Sequence, residues 1–154
     1  KGTRKKFHRT DKMQFWNIGK KRMRNPVYKR LYLEDQTQLV NLPTFSSGED
    51  ALAELSAIQH PAHACLAVYR RSIDTKKLSA TERLDELRTE QYAIVELWDY
   101  DPALFALSKT KHNKGMKIVD VFSLYASFGM LLNDIRIEKE LENIIKERID
   151  GQRT

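Results

Sequence analysis

The chain holds a single cysteine, Cys65, so no disulfide can form within it. At 154 residues it needs no such staple, because a chain of this length buries roughly two thirds of the surface it would expose when unfolded. Cys65 lies in the apolar run 64–68, where a thiol acts as a small hydrophobe. That usage favours a reducing, intracellular setting, either cytoplasm or an organelle matrix. Long apolar runs are also missing: the longest, residues 118–132, spans 15 positions and includes Asp120, too short and too polar for a bilayer crossing. No Gly-rich phosphate loop, Gly-x-Ser-x-Gly elbow or paired-cysteine motif occurs, which argues against P-loop, α/β-hydrolase and zinc-ribbon chemistry. Without an internal repeat or a low-complexity tract, a solenoid is excluded as well. The chain starts at Lys1 and not at methionine, as expected of a processed or excised N-terminus whose targeting peptide is gone.

What the chain does have is charge, unevenly placed. Residues 1–30 carry twelve Lys and Arg against one acid, Asp11, a net of +11, whereas the whole chain is only +6. Residues 31–154 therefore sum to about −5. The basic segment includes Arg4, Lys5, Lys6, Arg9, Lys12, Lys20, Lys21, Arg22, Arg24, Lys29 and Arg30, with Phe15 and Trp16 set among them. Such a mixture suits nucleic acid, the cations meeting phosphates and the aromatics meeting unstacked bases. A second basic cluster follows further on, where Lys109, Lys111, Lys114 and Lys117 surround His112 and Gly115. Should the two clusters converge, together with Arg70, Arg71, Lys76 and Lys77, one face would be continuously positive.

Hydrophobic spacing divides the chain into a basic arm, 1–25, and one domain, 26–154. Residues 27–33 and 38–42 read as strands of a hairpin with a four-residue connection. Ser46 with Glu49 resembles a capping box opening a helix that ends before His60-Pro61. Residues 64–69 form a buried-strand pattern, Ser79 with Glu82 starts another expected helix carrying Leu84 and Leu87, and residues 92–98 are the clearest strand. Asp101-Pro102 reads as an N-cap with proline in the first turn of a short helix, 103–107. The end of the chain is helical: Val119, Phe122, Leu124, Tyr125 and Phe128 share one face, and Ile137, Leu141, Ile144, Ile145 and Ile149 form a stripe in the next helix. The expected fold is a compact α/β or α+β domain with a small mixed sheet of about four strands, in ββαβαβ-like order, followed by C-terminal helices.

Candidate catalytic groups are sparse. Glu96, Asp99 and Asp101 sit at and after the end of the clearest strand, with Lys109 and Lys111 downstream, an inventory compatible with a Mg²⁺-dependent nuclease. Asp101 is already explained as a cap, however, and Glu96 as an outward strand residue. His60 and His63 straddle Pro61 and read as ordinary residues at a helix-to-strand junction, with no third metal ligand evident. The sequence thus points to a non-catalytic nucleic-acid binder, RNA ahead of DNA, such as a structural component of a ribonucleoprotein particle, with no cofactor, metal or membrane partner and with other proteins of a large assembly as neighbours. A DNA-associated regulator, a mobile-element or defence protein and the nuclease are the alternatives.

Overall fold

Val27–Leu33 forms β1, and its alternation places Leu31 and Leu33 on one face of a sheet. The computed structural model describes residues 14, 19, 23–56, 58–107, 117–129 and 134–151. Among them the chain forms a single α+β domain with an open mixed sheet of six strands. β2 is Phe45–Ser46, β3 is Cys65–Tyr69, β4 is Ala80–Thr81, β5 is Ala93–Trp98 and β6 is Lys117–Ile118. Their spatial order is β4-β1-β5-β3-β2-β6. β5 runs antiparallel to β1 and parallel to β3, whereas β2 runs antiparallel to β3 and parallel to β6. Among the described residues three helices accompany the sheet: α1 (Gly48–Leu55), α2 (Val121–Phe128) and α3 (Ile135–Gly151).

The two faces are covered differently. Phe45, Ala67, Trp98 and Ile118 pack beneath α1, α2 and α3, whose Leu52, Leu124, Phe128, Leu141 and Ile145 complete the larger core. The isoleucine stripe of α3 is therefore buried against the protein's own body. On the opposite face Leu31, Leu33, Leu66, Val68, Val95 and Leu97 are covered, among the described residues, by turns through Leu39, Leu42, Ile73 and Leu78. Since β5 is sandwiched, it carries almost no polar alternation, as expected of a strand buried on both sides.

Four expectations need correction. Residues 38–42 are not a strand, and β1 has no hairpin partner there. The Asp35 carboxylate accepts the Thr37 N–H and sets up a single 3₁₀ turn, Gln36–Leu39, so β1 pairs instead with β4 and β5. No helix follows Ser79. Thr81 Oγ1 bonds to Glu86 and to the Arg83 carbonyl, the kind of local side-chain bonding that competes with a helix, and only the turn Leu84–Glu86 forms. The Ser46–Glu49 capping box is absent: Ser46 lies in β2, and the N-cap residue Ser47 turns its hydroxyl away from the helix. Finally, the helix expected at 103–107 is one 3₁₀ turn, Pro102–Leu104, although Asp101 does cap it by accepting the Ala103 N–H at 3.0 Å.

Residues just before β1 contribute to the body. Met23 packs on the larger core, Pro26 is buried and its carbonyl accepts the Asp99 N–H at 2.9 Å. Chemical denaturation should therefore leave a variant lacking residues 1–22 cooperative and near wild-type stability, whereas a variant lacking 1–26 should lose about 1–3 kcal/mol. Equal stability of the two would assign Met23 and Pro26 no structural role.

Candidate functional site

Two features of the domain could do something beyond folding: one end of the sheet and a buried ionic cluster. The register fixes the first. Val27 and Tyr69 both pair with Trp98, so the start of β1, the end of β3 and the end of β5 lie together. β2 and β6 begin at the same end, because Phe45 pairs with both Ala67 and Lys117. The arm therefore joins the sheet at the end where the lysine-rich segment rejoins it. That segment's described flanks, Leu107 and Ile118, are bridged, with N–H···O distances of 2.7 and 2.9 Å.

The side chains at this end are cationic and aromatic. Tyr28 is 58% exposed, and the Arg70 guanidinium sits 4.8 Å from its ring centroid. Arg70 is held by Asp99, with Nε 2.9 Å from the carboxylate. A cation poised on one face of an exposed tyrosine makes a rigid platform of the kind on which an unpaired base stacks. Arg24, Arg71 and Lys117 are exposed nearby, and Leu104 and Phe105 are exposed in the turn after β5.

Of the residues singled out in the sequence, Arg24 and Lys117 are exposed. Lys29 is exposed and paired with Glu82 at 3.0 Å, a surface ion pair of little energetic consequence that leaves it available. Arg30 points elsewhere. Arg4, Lys5, Lys6, Arg9, Lys12, Phe15, Trp16, Lys20, Lys21, Arg22, Lys109, Lys111 and Lys114 lie outside the described residues.

Arg30 belongs to the second feature. Glu96 is not an outward residue: it is 1% exposed, on the helix-covered face of β5. Arg30 approaches its Oε2 through Nε at 3.1 Å and Nη2 at 3.0 Å, while Ser47 Oγ donates to Oε1 at 2.6 Å and Trp98 Nε1 donates to it at 3.2 Å. Arg30 Nη2 also donates to the Ser127 carbonyl, 3.1 Å away, near the end of α2. This explains why Ser47 does not cap α1. Nothing local marks the cluster in the sequence, since Arg30 and Glu96 are 66 residues apart.

The three carboxylates considered for metal chemistry thus have separate duties: Glu96 binds Arg30, Asp99 binds Arg70 and Asp101 caps a turn. Among the described residues, no three His, Cys, Asp or Glu side chains converge as metal ligands would. His60 lies between two acids of α1, with Nδ1 2.9 Å from Asp50 and Nε2 3.2 Å from Glu54, and His63 stacks on Tyr92 at 3.7 Å. Among the described residues, no helix is long and apolar enough to cross a membrane. Comparison of the chain with protein-family models, with curated proteins and with solved structures returned no match.

Beside the cluster, Cys65 is buried against Gly48, whose positive φ of 56° and closeness to the sulfur both require glycine; a Cβ there would come within 2.7 Å of Sγ. Burial first, and then the negative charge of Glu96, push the Cys65 thiol well up, with Arg30 partly opposing. An acid raised by folding stabilises the protein below its unfolded value, about 8.5, and loses that contribution as pH climbs beyond it. Unfolding free energy should therefore fall above about pH 8.5, and Cys65→Ala should flatten that fall. The ion pair has its own test. Arg30→Met should destabilise by about 3 kcal/mol in urea titrations, because Glu96 is left buried without its cation, and adding Glu96→Gln should restore part of the loss. Strict additivity of the two substitutions would mean that the charges are not coupled.

Proposed function

We propose that the protein is a non-catalytic nucleic-acid-binding module, with single-stranded RNA as its preferred ligand, acting as a structural component of a ribonucleoprotein assembly. The observation that carries this reading is the meeting, at one end of the sheet, of the arm's attachment point, the Tyr28–Arg70 platform and the strand that ends the lysine-rich segment. Net charge supports it, since +11 is concentrated in residues 1–30 while the rest of the chain is acidic. The net negative charge of residues 31–154 would favour docking of phosphate near the basic segment over the rest of the body. Stacking favours single strands over duplex, whose bases are already stacked, and the combination of aromatic and cationic groups favours the splayed bases of RNA loops. Duplex DNA remains the competing ligand to be measured.

Affinity for fluorescent oligonucleotides of RNA and DNA, single- and double-stranded, tests this directly. If the arm neutralises about six phosphates, log affinity should fall against log salt with a slope of about −4 to −5, and removing residues 1–22 should flatten that slope. Tyr28→Ala should weaken single-stranded binding by roughly 1 kcal/mol or more and leave the salt slope unchanged, because stacking displaces no counterions. Binding that is equally strong without the arm, or that prefers duplex DNA, would refute the assignment.

A further inference from the structure

A cavity of about 250 Å³ lies on the helix face of the sheet, away from the basic end and between the start of α1 and the end of α2. Its walls are mainly apolar, with Pro61, Ala62, Ile94 and Phe128 facing the space, and its polar groups are few. An apolar cavity of about 150 Å³ accepts benzene, so this one has room for a substituted or fused ring but not for a nucleoside phosphate.

The charges narrow the ligand further. Arg30 lines the cavity, but its charge is matched by Glu96, and Glu49 adds a carboxylate at the rim. A carboxylate or phosphate would therefore meet net negative surroundings, which favours a neutral occupant. Arg30 is held in place through Nε and Nη2, and among the described residues no hydrogen bond is made to its Nη1. That nitrogen is a preorganised donor for an acceptor edge, and Glu49 is an acceptor for a donor edge. The His63 ring, backed by Tyr92 at an interplanar angle of 16°, supplies a flat wall.

We propose that this cavity binds a neutral, planar heteroaromatic ring bearing both acceptor and donor edges, the chemistry of a nucleobase. The ring could be supplied free or by a base splayed from a strand. The cavity forms such a site by its own geometry and does not require the basic arm.

The test is a titration of the intact protein, followed by backbone amide shifts, with adenine and uracil as free probes and with a short single-stranded oligonucleotide as the third arm. Saturable shifts at residues 61–65 and 127–128 are expected. Ala62 is exposed at the cavity wall, so Ala62→Trp should plug the space without disturbing the fold and abolish those shifts, while Glu49→Gln should weaken binding several-fold. Shifts with free base alone assign the cavity to a small molecule; shifts with the strand that vanish in Ala62→Trp assign it to a base of bound nucleic acid. Arm-dependent oligonucleotide binding that persists in Ala62→Trp leaves the proposed function intact and speaks only to the cavity. Absence of saturable shifts with all three probes, or shifts that survive Ala62→Trp, would overturn the proposal.

Discussion

A buried carboxylate is the constraint around which this fold is organised. Glu96, on a strand covered on both faces, would be severely destabilising alone, because an ion removed from water must find compensating charge and hydrogen bonds. Its partners come from four places in the chain: Arg30 on β1, Ser47 before α1, Trp98 on β5 itself and, through Arg30, the Ser127 carbonyl of α2. Satisfying one charge thereby sets the position of β1 beside β5, the start of α1 and the end of α2. Such an ion pair is weak grounds for extra stability over an apolar replacement. Its contribution is to specify which elements meet.

The same arrangement explains how the molecule is polarised. Arg30 and Arg70 are equally exposed, but Arg30 is committed to the buried carboxylate of Glu96, whereas Arg70 pairs with the half-exposed Asp99 and lies over the exposed Tyr28. One end of the sheet thus carries the start of β1 and the Tyr28–Arg70 pair, and the helix side holds a cavity lined by Arg30. The positive φ of Gly129 serves the same region, because a side chain there would strike Asn25, whose Oδ1 accepts the Val27 N–H as the arm enters β1.

The longer elements were legible in the sequence because periodicity needs length. β1, β3 and β5 were evident as apolar runs, and α2 and α3 as amphipathic stripes whose apolar residues are buried as expected. β2, β4 and β6 are two residues each, too short to carry any period, so the sheet has six strands where about four were expected. Capping patterns misled twice, at Ser46 and Ser79, because the same hydroxyl and carboxylate groups can bond to distant partners or within turns. The Asp120 cap of α2, whose carboxylate accepts the Ser123 N–H at 2.9 Å, is hidden for the opposite reason: it sits inside an apolar run. Glu96 looked outward because a polar residue in a strand normally marks the solvent face. The packing of helices on one face of β5 and of turns on the other leaves this strand no such face.

The proposed docking site for nucleic acid is the end of the sheet where the arm joins it. Hydrogen–deuterium exchange of the intact protein, measured with and without saturating single-stranded RNA, tests it most directly. Exchange should slow at residues 24–30, 70–72 and 117–118 and stay unchanged along α3. Slowing confined to α3, or no slowing anywhere under conditions where RNA is bound, would contradict it.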